Sequence, residues 1–211
     1  MINLRGKKPF AEGGNRICYV HPEDKSMCLK ISKPEAIEKT IANAPWYKKL
    51  RAKESFDDNL REERAYRQKA IKKNPQKIWR HLAKWYEFVE TSEGLASCTE
   101  LITNNGKIAL NLEEYLFTNG RTLEIDEALK EFETFLKQTK LLTKNIIPHN
   151  LAVKENASGL TLKIIDGLGS MSFIPLPEIS NTFANRYIER RIKLMYSRIE
   201  WDLSGRKGSW K

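Results

Sequence analysis

The chain has 211 residues, 40% of them hydrophobic, and a formal net charge of +10. This length supports a substantial core in one domain or in two small lobes, and no run reaches the roughly twenty apolar residues of a membrane-spanning helix. Because the opening residues MINLRGKKPF lack the apolar segment of a signal peptide, we expect a cytoplasmic protein without a membrane span. The positive charge favours an anionic partner but does not choose among nucleotides, phosphorylated substrates, nucleic acids and membrane surfaces.

The three cysteines indicate neither a disulfide framework nor a zinc site. Cys18, Cys28 and Cys98 cannot all pair with one another, and none has a CxxC or His-linked spacing. We therefore expect reduced thiols in the core.

The N-terminal part reads as a strand hairpin followed by helix. Residues 17–20 and 27–31 are rich in apolar and β-forming residues, and the turn-forming residues His21 to Asp24 join them. A basic, helix-prone stretch then extends from Lys33 to Asp58, and residues 59–73 carry one apolar helical face. The elements predicted after these are strands at 83–91 and 95–103, helices at 110–117 and 125–142, strands at 150–155 and 160–166, and a basic amphipathic helix at 179–201.

This order of elements resembles that of a protein-kinase-like fold. In that fold a small sheet with one main helix covers a nucleotide, and a compact, mostly helical lobe supplies the metal ligands. We therefore predict an α+β, two-lobed fold with an N-terminal lobe at residues 1–103 and a C-terminal lobe at residues 104–211.

Candidate phosphate-binding residues lie in the predicted small lobe. Gly13 and Gly14, in EGGNR, would let the backbone approach phosphates, although an ordinary β-turn explains a glycine pair equally well. Lys30 lies between Leu29 and Ile31 in a strand, where a kinase-like lysine would hold the α- and β-phosphates. Glu63 on the following helix would pair with Lys30. The plain alternatives are a solvent-facing lysine and a solvated helix surface.

The segment TELIT is the predicted hinge between the lobes. It follows the last strand of the small lobe and precedes the helical part of the chain. We expect the backbone of Glu100, Leu101 and Ile102 to face the adenine edge.

Asn150 and Asp166 are the candidate metal ligands. Asn150 precedes one short strand and Asp166 follows its partner, and the two strands are joined by a turn that contains Gly159. An amide oxygen and a carboxylate at adjacent strand ends suit Mg²⁺, which takes oxygen ligands. The alternative is a β-hairpin in which both side chains only bind turn amides.

The sequence also resembles a known bacterial family, the PhoP regulatory network protein family, or YrbL-like family, within the protein-kinase-like superfamily. CYVHPEDKSMCLKI carries the most specific likeness, and it continues through REERAY, EFVET, GKIALNLEEYL, PHNLAV and IDGLGSMSFIPL. The basic stretch from Lys33 to Asp58 is longer than the family pattern leads us to expect. The resemblance implies a kinase-like fold and ATP binding, and it names no substrate.

The position of the usual catalytic base departs from the kinase pattern. Active kinases carry an aspartate five residues before the metal-binding asparagine, and here that position is Asn145. An amide cannot accept the substrate proton. His149 is a candidate replacement because imidazole titrates near neutral pH, although a structural role beside Pro148 is the plainer interpretation.

Three functions therefore compete. The first is an ATP- and Mg²⁺-dependent phosphotransferase acting on a small molecule, a glycan or lipopolysaccharide-type precursor, or a protein. The second is a pseudokinase, a regulatory module that binds a nucleotide or a partner without phosphoryl transfer, which Asn145 favours. The third is a nucleic-acid binder, indicated only by charge and by the closing basic helix. The apolar residues of that helix instead predict packing on the large lobe.

Overall fold

The structure is a computed structural model that describes residues 1–50, 52–170 and 176–210. The chain divides into two compact units, Met1–Arg64 with Lys84–Leu101, and Ala65–Ala83 with Ile102–Lys211. The sequence suggested one division after residue 103, whereas the structure groups residues 65–83 with the second unit. Residues 171–175, part of the IDGLGSMSFIPL motif, lie outside the described residues.

The first unit is built on a five-stranded antiparallel sheet with the strand order β1-β2-β3-β5-β4. The predicted hairpin is confirmed as β2 and β3, and its turn is closed by hydrogen bonds from His21 N to Met27 O and from Met27 N to Asp24 O, both 3.0 Å. The strands are β1 (Ala11–Glu12), β2 (Arg16–Val20), β3 (Met27–Ser32), β4 (Trp85–Thr91) and β5 (Gly94–Glu100).

Four helices come first after β3 in the described part of the chain, three within the basic stretch and one beginning at its last residue. They are α1 (Pro34–Ala42), α2 (Trp46–Lys49), a 3₁₀ helix (Lys53–Phe56) and α3 (Asp58–Tyr66). The N-terminal lobe was predicted to carry one main helix, and the first unit contains the nine-residue helix α1 and the first seven residues of α3. The core of this unit is a small cluster that includes Leu29, Ile31 and Ala96.

The second unit is mostly helical and contains two short hairpins. Its elements are α4 (Lys69–Lys73), α5 (Pro75–His81), β6 (Thr103–Asn104), β7 (Lys107–Ile108), α6 (Leu112–Asn119), α7 (Leu123–Thr139), β8 (Leu151–Asn156), β9 (Gly159–Ile164), α8 (Leu176–Ile179) and α9 (Asn181–Leu203). Its large core surrounds α7, where Phe132 is fully buried and His81 stacks on Phe135 at a centroid distance of 4.4 Å.

Two predicted helices end earlier than the sequence pattern suggested. The helical face at 59–73 is interrupted after Tyr66, where the Gln68 side chain exchanges two hydrogen bonds with the backbone of Leu142, at 2.8 and 3.1 Å. The helix α7 ends at Thr139 because Lys140 takes a left-handed conformation with φ +57°.

The last helix confirms the predicted packing. Ile188, Ile192, Met195 and Ile199 are all buried in the core of the second unit. No helix among the described residues combines the length and apolar character needed to cross a bilayer.

Candidate functional site

Lys30 lies on the central strand of the sheet. Its neighbours across the sheet are Cys18 on β2 and Ser97 on β5, and both faces of β3 are buried over residues 28–31. Only 6% of Lys30 is exposed. The alternative of a solvent-facing lysine is therefore wrong.

The carboxylate that pairs with Lys30 is Glu62. The Lys30 Nζ lies 3.1 Å from Glu62 Oε1, and only 3% of Glu62 is exposed. The predicted pairing with Glu63 is wrong by one residue. Successive residues of a helix point about 100° apart, so only one of two adjacent glutamates on α3 faces the sheet. Glu63 is half-buried.

The sequence did not reveal that Arg16 shares this carboxylate. Arg16 is buried at the start of β2, and its Nη1 donates to Glu62 Oε2 and, at 3.2 Å, to Asn59 Oδ1. Asn59 in turn donates from Nδ2 to the backbone oxygen of Lys30 at 2.8 Å. Two strands are thus tied to α3 by one network of charged and amide groups. The only sequence signal was an arginine at the first position of a buried strand.

Gly13 and Gly14 form the loop between β1 and β2. Gly13 N donates to Arg16 O at 2.9 Å, and this bond joins the two ends of the loop. A side chain at Gly14 would meet no atom within 4 Å. The protein's own packing therefore does not require glycine there, and the role of both residues in phosphate binding stays a prediction.

The predicted hinge residues use two of their amide groups internally. Glu100 N donates to Lys84 O at 2.8 Å and Leu101 N donates to Ser26 O at 2.7 Å. The strand β5 accordingly ends at Glu100, three residues before the predicted end. Recognition of a base by Glu100, Leu101 and Ile102 stays a prediction, and it would need groups other than these two N–H donors.

In the second unit, Asn150 and Asp166 flank the hairpin of β8 and β9. Ile165 N donates to Asn150 O at 3.0 Å, so the residues next to both candidate ligands are joined across the strand ends. The Asn150 side chain is buried, and its Nδ2 donates to Asn145 O at 2.8 Å. That bond fixes the amide with its nitrogen toward Asn145 and leaves the oxygen Oδ1 as the ligand atom.

Gly167 brings the segment after Asp166 into contact with Asn145. Its carbonyl oxygen accepts hydrogen bonds from Lys144 N at 2.8 Å and Asn145 N at 3.2 Å. A Cβ atom at Gly167, which has φ +80°, would collide with the Asn145 carbonyl and lie 3.1 Å from Asn150 Nδ2. Only glycine fits between the Asn145 backbone carbonyl and the Asn150 side chain. The Asp166 carboxylate also accepts from Gly167 N, which is the turn bond expected of the alternative interpretation.

The two candidate catalytic residues differ in position. Asn145 is half-buried and lies at the contact with Gly167, whereas His149 is exposed on the 3₁₀ turn Pro148–Asn150. The structure describes no group of three or more His, Cys, Asp and Glu side chains that could hold a metal ion, and an amide with one carboxylate is not such a group.

The thiols near Lys30 have the character predicted for core cysteines. A hydrogen bond with Cys18, together with burial, raises the pKa of the Cys28 thiol well above its usual value. Burial raises the pKa of Cys98 to about 11. Both thiols are therefore protonated at neutral pH and are poor nucleophiles.

Comparison with solved structures defines the class of fold. The crystal structure of Rad53 1–466 in complex with AMP-PNP matches with a TM-score of 0.50 and 12% identity, over 94% of this chain and 47% of that chain. The Mycobacterium tuberculosis PknI kinase domain matches with a TM-score of 0.48 and 14% identity, over 92% and 73%. At such identity the likeness to Rad53 shows the fold alone. That fold is protein-kinase-like, as predicted, with a sheet-based first unit and a mostly helical second unit.

The chain belongs to the family described as PhoP regulatory network protein YrbL, whose model matches residues 2–200. Two relatives carry the name "Uncharacterized protein YrbL", one from Escherichia coli (strain K12) and one from Shigella flexneri. Each is 23% identical over 195 residues, which is 90% of this chain and 84% of the relative. The family resemblance predicted from the sequence is confirmed.

Proposed function

We propose that this chain binds ATP with Mg²⁺ and acts as a phosphotransferase of the kinase type. The observation that carries the proposal is the buried Lys30 on the central strand, held by Glu62 at 3.1 Å. A lysine fixed in this way would contact the α- and β-phosphates of the nucleotide, because that is the task of the corresponding lysine in kinase-like folds. The low local dielectric of a buried position would strengthen the contact.

The second unit supports a role in holding Mg²⁺. Asn150 has its amide nitrogen engaged by Asn145 O, so its oxygen is the atom offered to a ligand. Asp166 supplies a carboxylate from the adjacent strand end. An amide oxygen and a carboxylate suit a hard cation, and Mg²⁺ bound there would neutralise phosphate charge.

Because Asn145 occupies the position of the usual catalytic base, we expect phosphoryl transfer to be slow. Phosphoryl transfer depends mainly on positioning and charge neutralisation, so a protein without the usual base would still transfer slowly. The net charge of +10 supports an anionic acceptor, for which we propose a phosphorylated small molecule, a lipopolysaccharide-type precursor or an acidic protein segment. We place this activity in the cytoplasm, where ATP is available.

Asn145 also supports a second candidate, a pseudokinase that binds the nucleotide without transfer. Its amide cannot act as a base. The residue predicted to replace the base is His149, which is exposed on the neighbouring turn. The two candidates share nucleotide binding and differ only in turnover.

Nucleotide binding is tested by thermal unfolding with AMP-PNP, in the presence of Mg²⁺ or of EDTA. Ligand at one hundred times its Kd should stabilise the protein by about 2.7 kcal/mol. Asp166→Asn should remove the Mg²⁺-dependent part and leave the unliganded protein nearly as stable. Asp126→Asn, at a half-buried carboxylate that pairs with Arg121, removes the same charge from the second unit and is the control. An unchanged Tm at millimolar AMP-PNP would refute the proposal.

Turnover is tested with Asn145→Asp in a protein that binds the nucleotide. If the chain is a slow phosphotransferase, restoring the carboxylate should raise ATP hydrolysis by about 10²–10⁴-fold, the usual contribution of a general base. Unchanged hydrolysis would favour the pseudokinase. His149→Asn is the companion variant, and it should lower the wild-type rate only if the imidazole replaces the base.

A further inference from the structure

The first unit contains a cleft that shares only Gly14 with the residues predicted to bind the nucleotide. Its volume is about 920 Å³, which falls in the range of small-molecule sites. The cleft is lined by residues of the β1–β2 loop, α1, the 3₁₀ helix and α3. Most of these residues belong to the long basic stretch from Lys33 to Asp58. Neither Lys30 nor Glu62 nor any hinge residue is among its lining residues.

The charged groups on the wall of the cleft are mostly cationic. Lys33, Lys39 and Arg61 line it, against the single carboxylate of Glu35. Lys39 makes no ion pair with any residue that the structure describes. This cation is therefore available to an anion from solution.

The other two cations are paired with carboxylates outside the lining. Lys33 Nζ lies 2.5 Å from Glu12 Oε1, and Arg61 Nη1 lies 3.2 Å from Asp58 Oδ1. The Glu12 side chain is 56% exposed and the Lys33 side chain is 15% exposed, so solvent reaches this ion pair mainly from the carboxylate side and weakens it. A phosphate, which carries more charge and accepts two parallel bonds from a guanidinium, would compete well for these groups.

The rest of the wall suits an organic body. Phe56, Pro45 and Ala36 supply an aromatic ring and apolar surface beside the cations. The Ser55 hydroxyl is buried without a hydrogen-bond partner among the described residues, and Ser55 is one of the residues that line the cleft. An unsatisfied hydroxyl is costly, so a ligand that accepts its hydrogen bond would gain affinity.

We propose that this cleft binds a small phosphorylated organic molecule, with Lys39 and Arg61 holding the phosphate and Phe56 contacting the organic body. The site shares Gly14 with the proposed nucleotide site, and none of the other residues predicted to bind the nucleotide lines it. Binding to it does not depend on ATP. Arg61 also directly precedes Glu62 on α3. Occupancy would therefore stabilise α3 and the β1–β2 loop together.

The test uses calorimetric titration of the full chain, without nucleotide, with phenyl phosphate as the probe. Inorganic phosphate supplies the anion alone, and benzyl alcohol supplies the ring alone. Phenyl phosphate should bind more tightly than either, and added salt should weaken it because the contacts are electrostatic. Equal binding of phenyl phosphate and inorganic phosphate, or of phenyl phosphate and benzyl alcohol, would overturn the proposed ligand class.

Location is tested with the double variant Lys39→Gln/Arg61→Gln against Lys7→Gln/Lys8→Gln, which removes the same charge from exposed positions of the same unit. The first should weaken phenyl phosphate binding by about tenfold or more, the effect of losing charged hydrogen bonds, and the second should not. Both variants should retain the wild-type Tm. Equal affinities for the two variants would overturn the site. A protein that binds phenyl phosphate here but fails to bind AMP-PNP would refute the proposed function and leave this inference standing.

Discussion

Replacing Glu62 should distinguish the observed ion pair of Lys30 with Glu62 from the predicted ion pair of Lys30 with Glu63. Only 3% of Glu62 is exposed, and its carboxylate accepts hydrogen bonds from both Arg16 and Lys30. Glu62→Gln keeps the shape of the side chain and removes its charge, which leaves two buried cations around a neutral amide. Removing one partner of a buried ion pair costs about 3–5 kcal/mol. We expect a loss of that size in the free energy of unfolding.

The assay is urea unfolding, in which the midpoint moves by the lost free energy divided by the slope. With a slope of about 1–3 kcal/mol per molar, the midpoint should fall by roughly 1 M or more. Glu63→Gln is the matched control, since it removes the same charge one residue later at a half-buried position, and it should cost at most about 1 kcal/mol. Equal losses for the two variants, or a loss below about 1 kcal/mol for Glu62→Gln, would refute the reasoning.

A double-mutant cycle tests whether Arg16 and Lys30 share the carboxylate. In an Arg16→Met background, Glu62→Gln removes a carboxylate that one buried cation contacts, whereas in the wild-type background two buried cations contact it. Its cost should therefore be smaller by about 0.5–3 kcal/mol, the usual coupling between contacting residues. Strictly additive losses would show that Arg16 does not depend on Glu62.

Three further predictions concern stability elsewhere in the chain. Gly167→Ala should cost more than the roughly 1–2 kcal/mol of a positive φ alone, because its Cβ also collides with a carbonyl, whereas Gly159→Ala, with φ +115° and open space, should cost only that amount in the same urea assay. Stability should fall as pH rises from 9 to 11, because the folded Cys98 thiol keeps a proton that the unfolded chain releases, and the fall should be smaller in Cys98→Ala when pH-dependent unfolding is compared. Asn111→Ala should cost about 1 kcal/mol in thermal unfolding, because it removes the capping box at the start of α6.

Sequence patterns predicted the features that depend on local chemistry. The turn residues between β2 and β3 fix that hairpin, and the apolar spacing of α9 fixes its buried face. The burial of Lys30 was predicted from the kinase-like order of elements, because its strand alone also allowed a solvent-facing lysine. Only the hairpin and the helix face could be predicted from neighbours along the chain.

Features that depend on contacts distant in sequence were missed. Glu62 and Glu63 are adjacent residues of the same type, so the sequence does not show which one pairs with Lys30. The rotation of α3 about its axis decides this, and the hydrogen bond from Asn59 to the backbone of Lys30 fixes that rotation. The break after Tyr66 depends on a bond from Gln68 to a residue 74 positions away. No local pattern encodes either contact.

The backbone hydrogen bonds between residues 142–145 and residues 167–169 also have a consequence for hydrogen exchange. The amides of Lys144 and Asn145 both bond to Gly167 O, and Gly169 N bonds to Leu142 O at 3.0 Å. None of these amides can exchange with solvent until the two segments separate, so they should exchange at one shared rate as a single cooperative unit. Asn145 and Asp166 would then move as one piece, and thermal motion would alter their separation less than that of two residues on independent loops.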